Sequence, residues 1–331
     1  MIKMAVLGAG KIAQSMSRAA KLVDGVECYA VASRSLEKAE KFAADYGFAR
    51  AYGSYEEMVK DPEVQLVYVA TPHSHHYEHA RLCLEHGKHV FCEKAFTVNE
   101  KQAVELVELA RAKGLFLAEA MKIRFVPLRE KLNQVLASGV IGTPHMMTAN
   151  LSYAISSVER LVKPELAGGA LLDVGCYALN FAAMAFGTDV EKISGEAVVN
   201  EYGVDMQNSI TLIYKDGRMA VLNSGARGIS DRRGVIYGDR GFVEVTNINC
   251  SERIDVFDQD RNLVASYESE SACKGMEHEL AGCIEALEQG SLECPQMPLE
   301  ETLRMMRWMD ELRRQWGIVY PMEDKRIKDR K

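Results

Sequence analysis

Met4-Ala5-Val6-Leu7-Gly8-Ala9-Gly10-Lys11-Ile12-Ala13 is the stretch on which the fold turns. Four consecutive apolar residues with no polar alternation read as a strand buried on both faces, the habit of a parallel sheet. A G-x-G-x-x-A turn follows at once, and a helical pattern then runs from about Lys11 to Val23. Gly8 permits the tight turn, Gly10 lets a pyrophosphate approach the backbone, and Ala13 lets helix and strand pack closely. The new helix presents its first N–H groups, at Lys11 and Ile12, to an anion. Standing between a strand and a helix, the turn reads as a dinucleotide cradle; alone it would be only a tight turn.

The same rhythm continues outward. Val26–Ala32 is a second strand, and Ser35 can cap a helix that ends at Gly47. Ser54-Tyr55-Glu56-Glu57 has the S-x-x-E form of a capping box. Leu66–Ala70 is a third buried strand, followed by a helix closing at Gly87 and a strand at His89–Cys92. Asn99 with Gln102 opens a helix that stops at Gly114, and Leu115–Ala118 completes the series. Repeated β-α units with short turns predict a doubly wound parallel sheet, a Rossmann domain over residues 1–120.

About twenty residues past the glycine turn the second strand ends in Ala32-Ser33-Arg34-Ser35. A site built for NAD(H) usually places an acidic side chain there, on the ribose 2′-hydroxyl. Hydroxyls and a guanidinium suit a dianionic 2′-phosphate instead, through charge-assisted hydrogen bonds. Ser33 and Arg34 therefore predict NADP(H) over NAD(H); the alternative is an arginine simply facing water.

From about His145 strand follows strand. Ile210, Leu212 and Tyr214 alternate with Ser209, Thr211 and Ile213, and Lys215-Asp216-Gly217-Arg218 signals a hairpin whose return strand carries Met219, Val221 and Asn223. Further strands fit Arg233–Tyr237, Phe242–Thr246, Arg253–Phe257 and Leu263–Tyr267. Two amphipathic helices close the chain, one lined by Met276, Leu280, Ile284 and Leu287, the other by Leu299, Leu303, Met306, Met309, Leu312 and Trp316. Residues 121–331 thus read as an α+β substrate-binding and dimerisation domain with an open, mainly antiparallel sheet. Its C-terminal helices are candidates to pack back on the first domain.

Composition bounds the function. The 331 residues carry 40 Lys and Arg against 47 Asp and Glu, a formal charge of −7, with 47% hydrophobic residues. That is an ordinary globular balance with no cationic surplus for nucleic acid; the basic run at 325–331 reads as a solvated tail. The eight cysteines, Cys273 among them, form no C-x-x-C pair. No secretory signal opens the chain, and the apolar run Ala170–Phe186 is interrupted by Asp173 and Asn180, so it reads as a buried helix and not a membrane span. A cytoplasmic protein is expected.

Taken in order, Gly8-x-Gly10-x-x-Ala13, Thr71-Pro72-His73-Ser74-His75-His76, Glu93-Lys94 and Gly168-Gly169-Ala170-Leu171-Leu172-Asp173-Val174-Gly175-Cys176-Tyr177 resemble the glucose–fructose oxidoreductase/inositol dehydrogenase/rhizopine catabolism (Gfo/Idh/MocA) family over essentially the whole chain. Tyr177, with segments 47–55 and 115–127, looks most like the branch holding the dimeric dihydrodiol and NADP-dependent D-xylose dehydrogenases. The resemblance implies that Glu93-Lys94 ends a strand beside the nicotinamide, with Lys94 on the reacting hydroxyl. It also implies cofactor contacts from Thr71, Pro72, His73 and His76. Tyr177 stands where many relatives carry histidine. A phenol with a reference pKa near 10 is a poor base alone, but a neighbouring ammonium favours its phenolate. Tyr177 is therefore expected to exchange the proton, with Lys94 as its electrostatic partner and Asp173, four residues earlier, orienting Lys94 or holding a substrate hydroxyl. Arg124 matches an arginine of that branch, and could contact cofactor or substrate or form a structural ion pair.

The implied enzyme moves hydride between NADP(H) and a secondary alcohol or ketone of a sugar, cyclitol or cyclic diol. A non-catalytic NADP(H) sensor is the alternative, but it would need only the glycine turn and Ser33-Arg34. His73, His75, His76 and His79 could suggest zinc, and His75 and His79 lie four apart; no third-ligand cluster accompanies them, so no metal is expected. Two residues depart from the family pattern. Ala95 replaces the family's proline, the residue that makes a cis bond affordable, and Lys122 replaces an aromatic residue, which favours a hydroxyl-rich or acidic substrate. Alternation at Val235/Tyr237 and Val243/Val245 suggests an apolar outer sheet face, and hence a homodimer through the open sheet.

Overall fold

The computed structural model describes residues 1–269, 271 and 274–323; Cys273 and the basic tail lie outside them. The first of two units comprises Met1–Met121 and Ser271–Met306. It contains β1 (Ile2–Leu7), α1 (Lys11–Ala20), β2 (Val26–Ala32), α2 (Leu36–Tyr46), β3 (Arg50–Tyr52), α3 (Tyr55–Lys60), β4 (Leu66–Val69), α4 (His73–Glu85), β5 (His89–Glu93), α5 (Glu100–Lys113) and β6 (Leu117–Ala120). The six strands are all parallel, in the order β3-β2-β1-β4-β5-β6. Order reverses between β1 and β4, so the C-terminal ends of those strands open the crevice in which such sheets bind ligands.

Local chemistry sets the helix ends. Ser35 accepts the Lys38 N–H at 3.3 Å, Ser54 the Glu57 N–H at 3.2 Å, and Asn99 the Gln102 N–H at 2.9 Å, each worth about 1 kcal/mol. Met4–Leu7, Leu66–Val69 and Val90–Cys92 are wholly buried, as strands covered on both faces must be. The last strand begins two residues later than its apolar run suggests. Leu115 donates its N–H to the Ala110 carbonyl and so still belongs to the end of the preceding helix.

The second unit, Lys122–Glu270 with Arg307–Lys331, opens with a 3-10 turn at Lys122–Arg124 and α6 (Pro127–Ala137). There follow β7 (Pro144–Ser152), α7 (Glu159–Val162), a π-helical turn at Leu171–Gly175 and α8 (Cys176–Phe186). Next come β8 (Val190–Val199), β9 (Asp205–Tyr214), β10 (Met219–Gly225), β11 (Gly234–Gly238), β12 (Gly241–Thr246), β13 (Arg253–Asp258) and β14 (Leu263–Glu268). The sheet runs β14-β13-β12-β11-β7-β10-β9-β8, antiparallel throughout except for the parallel pair β7/β10. α8 packs on β7 and β10, and α6 on β13 and β14. Two further helices are α9 (Met276–Glu288), which packs on α1 inside the first unit, and α10 (Leu299–Trp316), whose residues divide between the units at Met306 and Arg307.

Two expectations need correction. The apolar stretch is not one regular helix: a π turn precedes α8. Its wider run, Pro164–Phe186, is long and apolar enough to cross a membrane by length and composition, yet 89% of its most apolar window is buried in the fold. The two valine pairs assigned to the outer sheet face lie on opposite faces. Val235 pairs with Glu244 and Ile236 with Val243, so Val243 and Val245 share the covered face with Ile236, and both are buried. The outer face instead carries a row traceable strand by strand: Ile213, Met219, Met146, Tyr237, Phe242, Phe257 and Leu263. Within it the Phe242 and Phe257 rings stack at 4.7 Å.

Candidate active site

The first unit presents a cradle made mostly of backbone. Gly8 has φ +104°, and a Cβ there would lie 3.0 Å from the Ala70 carbonyl oxygen and 3.1 Å from Thr71 Cγ2. Only glycine turns the chain this closely past the end of β4. Gly10 is the N-cap of α1 and no side chain caps that helix; nothing lies within 4 Å of where its Cβ would project. Uncapped first-turn N–H groups facing open space are what a pyrophosphate needs. Lys11 and Ile12 are exposed at this rim, and Ala13 is wholly buried. The residues present therefore fit a dinucleotide.

At the end of β2, Ser33 is buried and donates its N–H to the Tyr52 carbonyl. Arg34 is exposed and makes no hydrogen bond or ion pair among the described residues. Its charge is felt by Tyr55 and His79, whose rings meet edge to face at 4.7 Å. Burial, with help from His75, His76 and Arg34, pushes His79 down to about 4, so it is neutral at pH 7. His75 and His79 stack on each other at 5.6 Å, and no group of three or more potential metal ligands occurs among the described residues.

The Thr71–His76 segment crosses the C-terminal end of β4. Pro72 caps α4 on the backbone, and Thr71 Oγ1 lies 3.0 Å from His79 Nδ1. His73 is buried, its ring edge-on to His76 at 5.6 Å. His76 sits between the Thr71 carbonyl at 2.8 Å and the Ala95 carbonyl at 2.9 Å, tying this loop to the end of β5. Burial is the main reason its pKa falls to about 4, with the Lys94 charge adding to it. Glu93 is buried and accepts the hydroxyl of wholly buried Tyr68, so it anchors the strand end while half-buried Lys94 emerges beyond it. The Lys94–Ala95 peptide is cis despite the missing proline. Both flanking groups are held by buried side chains: the Ala95 carbonyl by His76, and the Phe96 N–H by Glu119 at 3.2 Å.

In the second unit the π turn and α8 carry Asp173, Tyr177 and Asn180, all buried, along one stripe. Asp205 accepts the Leu171 N–H at 2.8 Å and an Asn208 amide proton at 2.8 Å, and so ties down the start of the turn. Gly169, at φ +117°, makes room for it, since a Cβ would come within 2.3 Å of Asp205 Oδ1. π turns displace helix side chains from their regular positions and recur at functional sites.

Two family models match, one described as an oxidoreductase family with an NAD-binding Rossmann fold over residues 2–121, the other as the GFO/IDH/MocA C-terminal domain over residues 130–244. The trans-1,2-dihydrobenzene-1,2-diol dehydrogenase of Xenopus tropicalis is 34% identical over 96% of this chain and 99% of its own length. The D-xylose 1-dehydrogenase (NADP(+)) of Hypocrea jecorina is 35% identical over 97% of this chain and 93% of its own length. The chain belongs to the Gfo/Idh/MocA oxidoreductase family. Among solved structures, the 3-ketoreductase KijD10 of Actinomadura kijaniata, in complex with NADP and TDP-benzene, superimposes with a TM-score of 0.88 at 23% identity, covering 95% of this chain and 98% of its own. That likeness is one of fold.

As a Gfo/Idh/MocA oxidoreductase the protein binds NAD(P) and is an enzyme, which removes the ground for a purely sensory reading. Side-chain partners in the second unit were less legible. Asp173 is paired with Arg160 at 2.9 Å, a residue that carries no motif and that the sequence reading passed over. Arg124, buried, donates to Asn180 Oδ1 at 2.8 Å. Lys122 Nζ lies 5.9 Å from the Tyr177 ring centroid. Ser35 is engaged as a helix cap, which leaves Ser33 and Arg34 as the phosphate candidates at the end of β2.

Proposed function

We propose that this protein is an NADP(H)-dependent oxidoreductase acting on a secondary alcohol or ketone of a sugar, cyclitol or cyclic diol, with Lys94 and Tyr177 as its proton-transfer pair. The observation that carries the reading is Tyr177 itself, a buried phenol with the Lys122 ammonium 5.9 Å from its ring centroid; the reading adds Lys94, just past the end of β5, as its partner. A cation close to a phenol favours the phenolate and makes tyrosine a usable acid and base near neutral pH. In oxidation Tyr177 takes the proton of the substrate hydroxyl and in reduction returns it; Lys94 stabilises the charge that develops on the oxygen. The nicotinamide, when bound, takes up or gives back the hydride. Gly8, Gly10 and the first turn of α1 hold the pyrophosphate. Arg34, exposed and unengaged, holds the 2′-phosphate with Ser33, which supports NADP(H) over NAD(H). Relatives named as a diol dehydrogenase and an NADP(+)-dependent xylose dehydrogenase support the substrate class and the cofactor.

We further propose a homodimer through the open sheet, supported by the aligned apolar row from Ile213 to Leu263, in which Leu263 is 57% exposed. Light scattering at micromolar concentration should give twice the chain mass, and Phe242→Glu should halve it. A monomer in the wild type refutes the dimer.

The reading is tested by following NADPH absorbance with pyranoses, inositols and cyclic trans-diols, using NADP⁺ and NAD⁺ in parallel. Turnover with NADP⁺ on at least one class is expected. Tight NADPH binding with no turnover on any class would count against it.

A further inference from the structure

The π turn that carries Asp173 is entered through two glycines, Gly168 and Gly169. A Cβ on Gly168 would lie 2.6 Å from the Leu161 carbonyl oxygen, and Gly169 sits at φ +117°. The freedom that admits this path would also let the peptide plane between them rotate. Both polar ends of that plane are held. The Gly169 N–H donates to the Leu161 carbonyl at 2.9 Å, and the Gly168 carbonyl accepts the Tyr320 hydroxyl at 2.6 Å. The Gly169 carbonyl then accepts the Asp173 N–H at 3.4 Å, so the setting of this plane passes directly into the turn. Tyr320 reaches it from 152 residues away, just past α10, and is wholly buried. It is itself rigidly backed. The Arg313 guanidinium lies 4.7 Å from its ring centroid and is gripped by both oxygens of Glu323, at 2.7 and 2.9 Å. Glu323 also accepts the Tyr320 N–H at 2.9 Å. Burial raises the pKa of this phenol, so it stays a donor wherever Tyr177 is to exchange its proton.

We propose that Tyr320 is a positioning residue for the reaction: from the C-terminal end of the chain its hydroxyl fixes the Gly168–Gly169 peptide, and through it the turn that presents Asp173 and Tyr177. The proposal rests on the reading of Tyr177 as the residue that exchanges the substrate proton. It gives the segment after α10, which carries no catalytic motif, a part in the chemistry, because a group placed for proton transfer is only as precise as the shell that holds it.

The test compares two deletions of a buried hydroxyl in the full-length protein. Tyr320→Phe keeps the ring under Arg313 and removes only the bond to Gly168. Tyr214→Phe is the control, since its hydroxyl reaches the Ala182 carbonyl in the later half of α8, at 3.4 Å, and not the turn. Turnover and NADPH binding are measured well below each unfolding midpoint, on whichever sugar or diol the wild type oxidises. In Tyr320→Phe kcat should fall about 10–100-fold with NADPH affinity within about twofold of wild type, the scale of a small misplacement of a reacting group. Its pH profile should also move to higher pH, because Tyr177 is held less well beside its activating cation. Tyr214→Phe should change neither. Wild-type kcat and pH profile in Tyr320→Phe overturn the proposal, and so does an equal fall in Tyr214→Phe, since general loosening of α8 would then suffice. Should Tyr320→Phe not fold, Glu323→Gln decides: it weakens the backing of Tyr320 and keeps the hydroxyl, so a severalfold loss of kcat with NADPH affinity kept is expected, and unchanged kcat overturns the proposal. Tyr177→Phe, run alongside, separates the two readings. Turnover lost there but kept in Tyr320→Phe refutes only the positioning role, whereas turnover kept in Tyr177→Phe refutes the functional reading itself.

Discussion

The candidate functional residues of the two units are built from different materials. In the first unit the functional atoms are mostly backbone: the N–H groups of an uncapped helix and a turn that only Gly8 can make. In the second they are side chains on the stripe Asp173, Tyr177 and Asn180, placed by partners 13 residues away at Arg160 and 56 away at Arg124. A backbone site writes itself into the sequence as spacing, whereas a side-chain site is written in contacts. Variants in the first unit should therefore fail through cofactor binding, and variants in the second through chemistry with cofactor binding kept.

That contrast is sharpened most by Lys94, the first unit's one side chain assigned to chemistry. Lys94→Gln should lower turnover by about 10²–10⁴-fold, the range of a lost acid–base or charge-stabilising group, while NADPH quenching titrations stay close to wild type. A loss of NADPH affinity of the same size would make it a binding residue.

Asp205 tests whether the π turn is held as described. Burial raises its pKa from the ordinary 3.8 to about 6, against the opposing hydrogen bonds. The native state therefore holds the proton more tightly than the unfolded chain. The carboxyl costs nothing below about pH 4, and its cost grows as pH rises to 6. Asp205→Asn should thus gain stability relative to wild type across that window, by about 2–3 kcal/mol in the difference, read from urea melts at pH 4 and pH 7. A constant difference would show that Asp205 does not titrate there.

Arg34→Gln bears on the cofactor half. NADP⁺ affinity should fall about 10–100-fold, the scale of a lost charge-assisted hydrogen bond, with NAD⁺ affinity unchanged. Parallel losses for both would move Arg34 off the 2′-phosphate. The smallest expected effect is Gly8→Ala, where a left-handed residue acquires a Cβ. About 1–2 kcal/mol of stability should be lost, along with NADPH affinity, in melts with and without cofactor. An unchanged melt would mean the turn is less constrained than φ +104° implies.

The same contrast explains what could be read beforehand. Ser35, Ser54 and Asn99 cap their helices on local grounds, and α2 and α5 end at Gly47 and Gly114 because left-handed caps belong to those residues. β8 escaped notice because, as an edge strand, it has no fully buried residue to create an alternation. The phase of β12 was legible but its direction was not. Only the pairing of Ile236 with Val243 shows which face lies under the helices. Similarly, Asp173 and Tyr177 stood out by motif and spacing, while Arg160 and the approach of Lys122 depend on a chain path that no local pattern encodes.

The central claim is that Tyr177 exchanges the substrate proton, and Tyr177→Phe tests it most directly. Steady-state turnover and NADPH binding should be measured together across pH 6 to 10 on whichever sugar or diol the wild type oxidises. The account predicts a fall of at least about 100-fold in turnover, loss of the wild-type pH dependence, and unaltered NADPH affinity. Wild-type turnover in Tyr177→Phe would contradict it.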